Sequence, residues 1–422
     1  MSTQTIVAPA SNNKAATPRG ENLHTLSVVI PALNEENGIA DIIERVLSTK
    51  EALASAGVSD LELIVVDDGS TDRTPEIVES YPEVVLVRHP VNKGYGAAIK
   101  TGFRHAKGDL LAFLDADGTY PPEYYPQLCQ PILNDGADLV IGSRMAGADS
   151  DMPPVRRLGN TIFAALVSVI SNRRVTDSAS GQRVLRSDVL AHLYPLPDGL
   201  NFTPVMSTRA MHEHIKVVEV PIPYMERVGA SKLSVVHDGM RFLNTILMTA
   251  MTYNPARILG LIGAGLVSLG IFSSLYRTLR RSPARREDSQ LASWFAGLVF
   301  TAAGINLFSI GAVFNYIVSL FHKRPVRQGL FGRPLFKKPL EKQFGWLGLG
   351  SVLSGGLFYS LYVWRRWRKP RNEVAPWFVP AASTVLVLSG IQLITSWLLT
   401  LVLSELTDRE TRAQSDLGDI IG

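Results

Sequence analysis

Four long stretches of this sequence contain no Asp, Glu, Lys or Arg, and they constrain the fold more than any other feature. They are residues 258–276, 293–321, 344–364 and 374–404, and they are 19, 29, 21 and 31 residues long. A helix needs roughly 20 apolar residues to cross a bilayer. The sequence therefore predicts an integral, multi-pass membrane protein with four transmembrane helices, and it excludes a wholly soluble one.

The charged and sulfur-containing residues exclude two further classes. Residues 1–257 carry 23 basic and 29 acidic side chains, so the part of the chain that precedes the membrane stretches is acidic. An acidic surface argues against a nucleic-acid partner, because duplex binding needs a basic face. The single cysteine, Cys129, excludes a disulfide framework and a cysteine-rich zinc site.

Before the membrane stretches, short apolar runs alternate with segments of helical spacing. The runs at 26–30, 61–66, 84–87, 110–114 and 139–141 predict strands, and the segments 38–47, 74–80 and 95–106 predict helices. Alternating strands and helices indicate an α/β domain with a largely parallel sheet. Residues 142–230 have a less regular pattern, and we expect them to complete a binding cleft.

The remaining segments are shorter. Residues 1–24 are polar and lack the apolar core of a signal peptide, which predicts a disordered tail and a cytoplasmic position for the domain that follows. Residues 156–171 and 233–252 place apolar side chains at helical spacing but are too short to span. Each could be a core helix or an interfacial one, and the position of the second beside the membrane stretches favours the interfacial interpretation.

Acidic side chains follow three of the predicted strands. Asp115 and Asp117 come after the run Phe-Leu, and their i, i+2 spacing points them the same way. Asp67 and Asp68 follow the second strand, and Pro-Ala-Leu-Asn-Glu-Glu at 31–36 follows the first. Ligands bind open α/β sheets at the carboxyl ends of strands, where hard oxygen ligands suit Mg²⁺ or Mn²⁺ bridging phosphates. A polar turn that only caps a strand or helix is the alternative at each position.

A basic set lies downstream of these acids: Arg144, Arg156, Arg157, Arg183, Arg186, Arg227 and Lys232. Arg matches phosphate through two parallel hydrogen bonds, and Lys meets it as a point charge. Beside a membrane, such residues could hold a lipid phosphate. A solvated salt bridge is the alternative for any single one of them.

Eight motifs together show a family resemblance. PALNEE, VVDDGSTDRT, NKGYGAA, FLDADGTYPPE, VIGSR, RRLGN, DSASGQRVLR and EVPIPYMERVGASKL follow one another through residues 31–233. This ordered set resembles glycosyltransferase family 2, in its polyprenyl-phosphate (dolichol-phosphate mannosyltransferase-like) branch. The resemblance implies a GT-A nucleotide-sugar-binding domain at 25–231, an interfacial helix at 232–257, four transmembrane helices within 258–404 and a polar tail at 405–422.

The resemblance also implies roles for individual residues. It implies that Asp115 and Asp117 hold Mg²⁺ or Mn²⁺ and, with Arg144, form the catalytic set. The expected nucleotide-sugar contacts are Pro31, Leu33, Glu35, Asp67, Asp68, Lys93, Asp115, Ala116 and Asp117. The expected acceptor-phosphate contacts are Arg144, Arg156, Asn160, Ser180, Arg183, Arg227 and Lys232. Some positions depart from the family pattern, among them Leu33 for a frequent Tyr and Gln182 for a usual aromatic residue.

The expected reaction is inverting transfer of one hexose from a GDP-mannose- or UDP-glucose-type donor to a polyprenyl phosphate, on the cytoplasmic membrane face. A lipid phosphate is already anionic, so catalysis needs positioning and charge stabilisation and no dedicated base. Two alternatives remain: transfer to another membrane lipid such as diacylglycerol, and a sugar-nucleotide-binding scaffold without turnover. The resemblance leaves a homo-oligomer open. The loops between the membrane stretches carry five, seven and five basic residues, so charge does not decide their topology.

Overall fold

The computed structural model of the chain describes residues 24–147, 152–213, 215–225, 235–279, 287–321, 340–368 and 377–421. The predicted tail at 1–24 lies outside these ranges except for His24. The described residues form two compact units. The first draws on Met1–Met152, Ser180–Phe202 and Ile215–Lys232, and the second on Pro153–Ala179, Thr203–His214 and Leu233–Gly422.

The helices and strands of the first half alternate as the pattern predicts. In chain order they are β1 (His24–Ala32), α1 (Ile39–Ser48), α2 (Lys50–Ser55), β2 (Val58–Asp67), α3 (Thr74–Glu79), β3 (Val84–Arg88), α4 (Tyr95–His105), β4 (Leu110–Phe113), α5 (Tyr125–Asp135) and β5 (Leu139–Ser143). Every strand and helix that the sequence predicts over 26–141 is therefore present, with ends displaced by a few residues.

The second half adds two strands and the long helices. They are α6 (Pro154–Ser171), β6 (Arg183–Arg186), α7 (Leu190–Leu193), α8 (Phe202–His212), β7 (Val217–Pro221), α9 (Val235–Met251), α10 (Pro255–Leu279), α11 (Glu287–Phe321), α12 (Phe344–Arg368) and α13 (Phe378–Ile421). The two strands were not predicted. β6 consists of Val and Leu between two arginines, which is too short an apolar run to indicate a buried strand.

The strands of the first unit form one sheet in the order β3-β2-β1-β4-β6-β5-β7. β6 runs antiparallel to β4 and to β5, and every other neighbouring pair is parallel. This is the largely parallel sheet that the sequence predicts. The chain moves outward from β1 through β2 to β3 and then returns to place β4 on the other side of β1. The carboxyl ends of β1 and β4 therefore border a topological switch point, where open α/β sheets bind ligands.

Helices pack on this sheet through apolar faces. α1 buries Ile39, Ile42, Ile43 and Val46, the i, i+3, i+4, i+7 spacing of one helical face. α4 lies so close to β1 that a Cβ added at Gly102 would overlap the Val29 side chain. Close packing of this kind holds the beginning of α4 at the carboxyl edge of the sheet.

In the second unit, α6 and α9 carry the two segments with interfacial character. Phe163 of α6 and Phe242 of α9 meet edge to face, with ring centroids 6.0 Å apart. Large apolar side chains on both helices stay exposed: Val155, Leu158, Ile162, Val169, Met240 and Met248. Apolar surface exposed on helices of the unit that carries the membrane stretches favours the interfacial interpretation for both.

Four helices of the second unit are long and apolar enough to cross a membrane, by length and composition. The candidate spans are Pro255–Tyr276, Trp294–Phe321, Phe344–Arg368 and Phe378–Thr407. α10 packs on α11, and α12 packs on α13. In each pair, glycines of one helix lie against the backbone of the other. A Cβ at Gly304 would overlap the Gly263 carbonyl oxygen, and one at Gly390 would overlap that of Gly348. Small residues at such crossings let membrane helices approach closely.

Candidate active site

The loops after β1 and β2 form one wall of the site because they are hydrogen-bonded to each other. Asn34 adopts a left-handed conformation, with φ of 53°, and its Oδ1 accepts a hydrogen bond from the Thr71 backbone N–H at 2.8 Å. The Asn34 N–H donates to Ser70 Oγ at 2.9 Å, and the Glu35 N–H donates to Thr74 Oγ1 at 2.8 Å. Of the expected nucleotide contacts, Pro31 lies near the end of β1, and Leu33 and Glu35 lie on the loop that follows, which is held against the Asp67–Asp68 turn.

The two acids at the end of β2 are both buried but have different hydrogen-bond partners. Asp67 accepts a hydrogen bond from the Ser70 N–H at 2.9 Å, and its Oδ2 lies 3.6 Å from Arg88 Nε. Asp68 accepts from the Lys93 N–H at 2.9 Å and the Gly94 N–H at 2.8 Å. Its Oδ1 also lies 2.7 Å from the Nδ1 of the buried His89. A carboxylate offers about four lone-pair positions, so these bonds occupy most of Asp68.

Asp68 consequently tethers the segment that leads into α4. Gly94, with φ of 104°, begins the turn, and the Ala97 N–H donates to the Asp198 carbonyl at 3.0 Å. A Cβ at Gly94 or Gly96 would overlap backbone oxygens of residues 197–198. Gly94 and Gly96 belong to a motif that the sequence shows. His89 could not be recognised from the sequence as the partner of Asp68, because the two residues are 21 positions apart.

Asp115, which follows β4, is positioned by two residues that the sequence reasoning did not select. The Tyr95 hydroxyl donates to Asp115 Oδ1 at 2.6 Å. Burial and the negative charge of Asp115 raise the pKa of Tyr95 well above its usual value, so the hydroxyl remains a donor. A Cβ at Gly181 would overlap the same carboxylate. Both residues lie in motifs of the family resemblance, NKGYGAA and DSASGQRVLR, and only the fold shows their function.

Asp117 is oriented from within its own turn. Its Oδ1 accepts from the Thr119 N–H at 3.1 Å and from Thr119 Oγ1 at 2.5 Å, and Gly118 adopts φ of 74° between them. Ala116, between the two acids, is buried, and its carbonyl oxygen faces the beginning of α1 at Gly38. Asp115 and Asp117 therefore lie at the carboxyl end of β4, at the switch point of the sheet.

Asp115 and Asp117 suit a divalent ion whose other ligands come from a substrate. Within the described ranges, Asp, Glu, His and Cys form no group of three or more that could hold a metal. Two carboxylates are nevertheless the usual protein share of a Mg²⁺ site whose other ligands are substrate phosphates and water. The close approach of the Gly181 backbone and the bond from Tyr95 hold one of these carboxylates in place.

Three of the expected phosphate-binding residues lie in the same region. The Arg144 guanidinium lies over the rings of Tyr120, at 5.3 Å, and Tyr224, at 5.9 Å. Tyr120 Oη accepts a hydrogen bond from the Gly181 N–H at 2.7 Å. Arg144 is therefore connected to Asp115 through Tyr120 and Gly181, which are packed against each other.

Ser180 and Arg183 support this region from within the core. Ser180 Oγ donates to the Gly142 carbonyl at 2.5 Å, and Arg183 Nε donates to the Ser180 carbonyl at 3.0 Å. Arg183 is fully buried in β6, opposite Phe113 of β4, and its charge acts on Tyr95. Its position places a positive charge beside the Tyr95–Asp115 pair.

The other expected acceptor residues are not brought to this region by the first unit. Arg156 and Asn160 are half-buried on α6, one turn apart, and belong to the second unit. Arg227 and Lys232 lie outside the described residues. Lys93 is exposed and lines a cavity of about 400 Å³ along α4, with Lys100, Arg104 and Tyr194.

Comparison with known proteins decides the family. The sequence model of Glycosyl transferase family 2 matches residues 27–193. Low-salt glycan biosynthesis hexosyltransferase Agl6 of Haloferax volcanii is 33% identical over 68% of this chain and 68% of its own length. The chain belongs to glycosyltransferase family 2.

Other relatives of this family 2 glycosyltransferase place it in the polyprenyl-phosphate branch. Dolichyl-phosphate hexose transferase of Haloferax volcanii is 30% identical over 54% of this chain and 94% of its own length. Undecaprenyl-phosphate 4-deoxy-4-formamido-L-arabinose transferase of Sodalis glossinidius is 28% identical over 75% of this chain and 96% of its own. Residues 255–414, which contain the candidate spans, match a domain of unknown function, DUF8752. These findings confirm the family and the GT-A fold that the motifs indicate.

A more distant similarity exists among solved structures. Glucosyl-3-phosphoglycerate synthase from Mycobacterium tuberculosis, in complex with Mn²⁺, uridine diphosphate and phosphoglyceric acid, aligns with a TM-score of 0.44 and 23% identity. The alignment covers 54% of this chain and 78% of that chain. Similarity at this level does not bear on the ligands of the family 2 glycosyltransferase described here.

Proposed function

We propose that this protein transfers one hexose, of the mannosyl or glucosyl type, from a nucleotide-diphosphate sugar to a polyprenyl phosphate. The observation that carries the proposal is the fixed position of Asp115 at the switch point, between Tyr95 and the backbone of Gly181. The relatives named dolichyl-phosphate hexose transferase and undecaprenyl-phosphate 4-deoxy-4-formamido-L-arabinose transferase support the acceptor class. Four candidate spans provide an anchor beside which such a lipid is available.

The donor would bind at the carboxyl edge of the sheet. The ends of β1 and β2, with the loops that follow them, would hold the nucleoside through Pro31, Leu33, Glu35 and the Asp67–Asp68 turn. Asp115 and Asp117 would hold Mg²⁺ or Mn²⁺, which when bound neutralises charge on the leaving nucleoside diphosphate. Because Tyr95 and Thr119 already orient the two carboxylates, little reorganisation is needed when the donor arrives.

The acceptor would attack without a dedicated general base. An oxygen of the lipid phosphate forms a bond to the anomeric carbon while the bond from that carbon to the donor diphosphate breaks. The oxygen carries a negative charge before it attacks, so no proton has to be removed. Direct displacement inverts the anomeric configuration. Arg144, held over Tyr120 and Tyr224, would offset negative charge where the two phosphates meet. The other acceptor contacts proposed are Arg156, Asn160, Ser180, Arg183, Arg227 and Lys232.

The test is a transfer assay with the full-length protein in detergent, Mn²⁺, polyprenyl phosphate and a panel of labelled UDP- and GDP-sugars. We expect one donor to yield a lipid-extractable product that mild acid cleaves. Asp117→Asn should lower the rate about 100- to 1,000-fold, because one charged ligand is lost at the leaving group. The matched control is Asp60→Asn, an exposed acid at the opposite end of β2, which should leave the rate unchanged.

Two outcomes would contradict the proposal. Full activity of Asp117→Asn would remove Asp117 from the catalytic set. Donor binding without any product would exclude a polyprenyl-phosphate acceptor, and the same panel with diacylglycerol would then test a neutral lipid acceptor.

We also propose that the first unit faces the cytoplasm, where nucleotide sugars are made. The chain is suited to a labelling test, since its one cysteine, Cys129, is buried. A cysteine placed at Asp60 should react with a membrane-impermeant maleimide in inside-out vesicles and not in intact cells. The reverse pattern would overturn the orientation.

A further inference from the structure

The cavity of about 400 Å³ that runs along α4, which we call the α4 cavity, lies wholly within the first unit. One wall is α4 itself, which places Ala97, Lys100 and Arg104 on one helical face at i, i+3 and i+7. The opposite wall is α7 with the residue that follows it, and it contributes Leu190 and Tyr194. Ligand sites of proteins begin at about 300 Å³, so this cavity is large enough for a small molecule.

Hydrogen bonds hold the two walls of the α4 cavity together. The Ala97 N–H donates to the Asp198 carbonyl at 3.0 Å, and Lys100 Nζ donates to the Leu196 carbonyl at 2.9 Å. Lys100 Nζ also forms an ion pair with the Asp198 carboxylate at 2.5 Å. Because these bonds join the segment after α7 to α4, the cavity is formed before a ligand arrives. Binding to a preformed site needs little ordering of the protein.

Basic side chains line the α4 cavity, and the described residues offset only part of their charge. The basic residues are Lys93, Lys100 and Arg104, and none of the lining residues is acidic. The charge of Lys100 is offset by Asp198. Arg104 Nη2 donates to the neutral Thr101 hydroxyl at 2.8 Å. Among the described residues, no carboxylate forms an ion pair with Arg104 or with Lys93, so two positive charges remain to attract an anion.

The rest of the lining is mainly apolar and aromatic. Ala97 and Phe103 are buried in the wall formed by α4, and Leu190 is half-buried in the opposite wall. Tyr194 is 37% exposed, so its ring offers a face on which a planar group can stack. An inorganic anion would leave this apolar part of the cavity unused. The lining therefore favours an organic anion that carries a ring.

From these observations we propose that the α4 cavity binds a small organic phosphate with an aromatic ring, as nucleoside phosphates have. Arg104 and Lys93 would pair with the phosphate, because a guanidinium and an ammonium both bind phosphate oxygens. The ring would lie against Tyr194. Lys93 is also an expected donor contact, whereas Arg104, Leu190 and Tyr194 belong to no proposed donor, metal or acceptor set. The site is therefore a second one, and its test does not require the proposed hexose transfer.

The test measures equilibrium binding to the full-length protein in detergent, by isothermal titration calorimetry with EDTA present. ADP carries a ring and phosphates, inorganic pyrophosphate carries the phosphates alone, and adenosine carries the ring alone. Adenine is not the base of the expected UDP- or GDP-sugar donors, and EDTA removes the divalent ion of the proposed donor site. We expect one equivalent of ADP to bind, and each of the two fragments to bind about tenfold or more weakly.

Variants of the two walls test the charge and the ring separately. Arg104→Gln should weaken ADP binding about tenfold or more, because charged hydrogen bonds to the phosphate are lost. Tyr194→Leu should weaken ADP binding about fivefold or more, because the stacking face is lost, and should leave pyrophosphate binding unchanged. Both side chains are exposed, so folding should be preserved. Arg241→Gln, which removes an exposed arginine from α9, is the matched control and should bind ADP as the wild type does.

Three results would overturn the proposal. Absence of ADP binding, or equal ADP binding by Arg104→Gln and the wild type, would exclude the α4 cavity as the site. Pyrophosphate binding as tight as that of ADP would show that the cavity does not recognise a ring. Displacement of ADP by a UDP- or GDP-sugar with Mn²⁺, in one-to-one competition, would place ADP in the donor site. Absence of hexose transfer would contradict the proposed function alone, because ADP binding is measured without donor, acceptor or divalent ion.

Discussion

Replacing Gly181 by alanine would displace the Asp115 carboxylate without removing any functional group. The added Cβ would stand 2.7 Å from Asp115 Cγ and 2.8 Å from Oδ1, and closer still to Oδ2. Ordinary contacts of a Cβ begin at 3.4 Å. Rotation of the carboxylate is opposed by Tyr95, whose hydroxyl donates to Oδ1 at 2.6 Å. The Tyr95 side chain and the Asp115 carboxylate must therefore move together by roughly 1 Å, or each must adopt another rotamer.

That displacement sets the expected loss of activity. A misplacement of about 1 Å in a catalytic group can cost about 100-fold in rate. A 100-fold loss corresponds to about 2.7 kcal/mol of transition-state stabilisation, at about 1.36 kcal/mol for each factor of ten. Folding should be largely preserved, since the clash involves the end of a side chain and Gly181 has no left-handed backbone requirement.

The assay is hexose transfer at saturating polyprenyl phosphate, with kcat/KM measured for the active donor. We expect Gly181→Ala to lose about 100-fold in kcat/KM while its unfolding temperature changes little. Gly356→Ala, at an exposed position of α12 with open space around it, is the matched control and should behave as the wild type does. The expected loss in kcat/KM is about 100-fold. A kcat/KM of Gly181→Ala within about threefold of the wild-type value would therefore refute the idea that the Gly181 backbone positions the Asp115 carboxylate.

Two further predictions concern stability. Asp68→Ala removes the acceptor for the Lys93 and Gly94 N–H groups. We therefore expect it to lower the free energy of unfolding by about 2 kcal/mol and to raise the KM for the donor. An unchanged unfolding temperature would contradict the role of Asp68 as the tether of this segment. His212 has a pKa of about 4 in the folded protein against an ordinary value of 6.5, so the unfolded chain binds more protons as the pH falls through this window. Stability should therefore drop by about 2 kcal/mol between pH 7 and pH 5 in lipid-free detergent. The drop should shrink in His212→Gln, and thermal unfolding of both proteins at several pH values measures it.

Much of the first unit could be predicted from the sequence because its signals are local. β1 and β4 are buried runs at the centre of a parallel sheet, and such strands appear as continuous apolar segments. Asp67 ends the apolar run of β2 and Asp115 follows that of β4, so the place of both acids at the carboxyl edge follows from the strand assignment. β6 escaped prediction because its burial comes from antiparallel pairing with β4 and β5, which places Arg183 inside the core.

The sequence by itself determined the α/β pattern, the strand ends that carry Asp67 and Asp115, and the four stretches that can span a membrane. Periodicity, charge and motif order act over a few neighbouring residues, so they can be recognised without the fold. Only the tertiary structure decided which groups hold the proposed metal-binding acids in place. It brings Tyr95 and Gly181 into contact with the Asp115 carboxylate from positions 20 and 66 residues away. Contacts between distant segments depend on packing and leave no periodic signal in the chain.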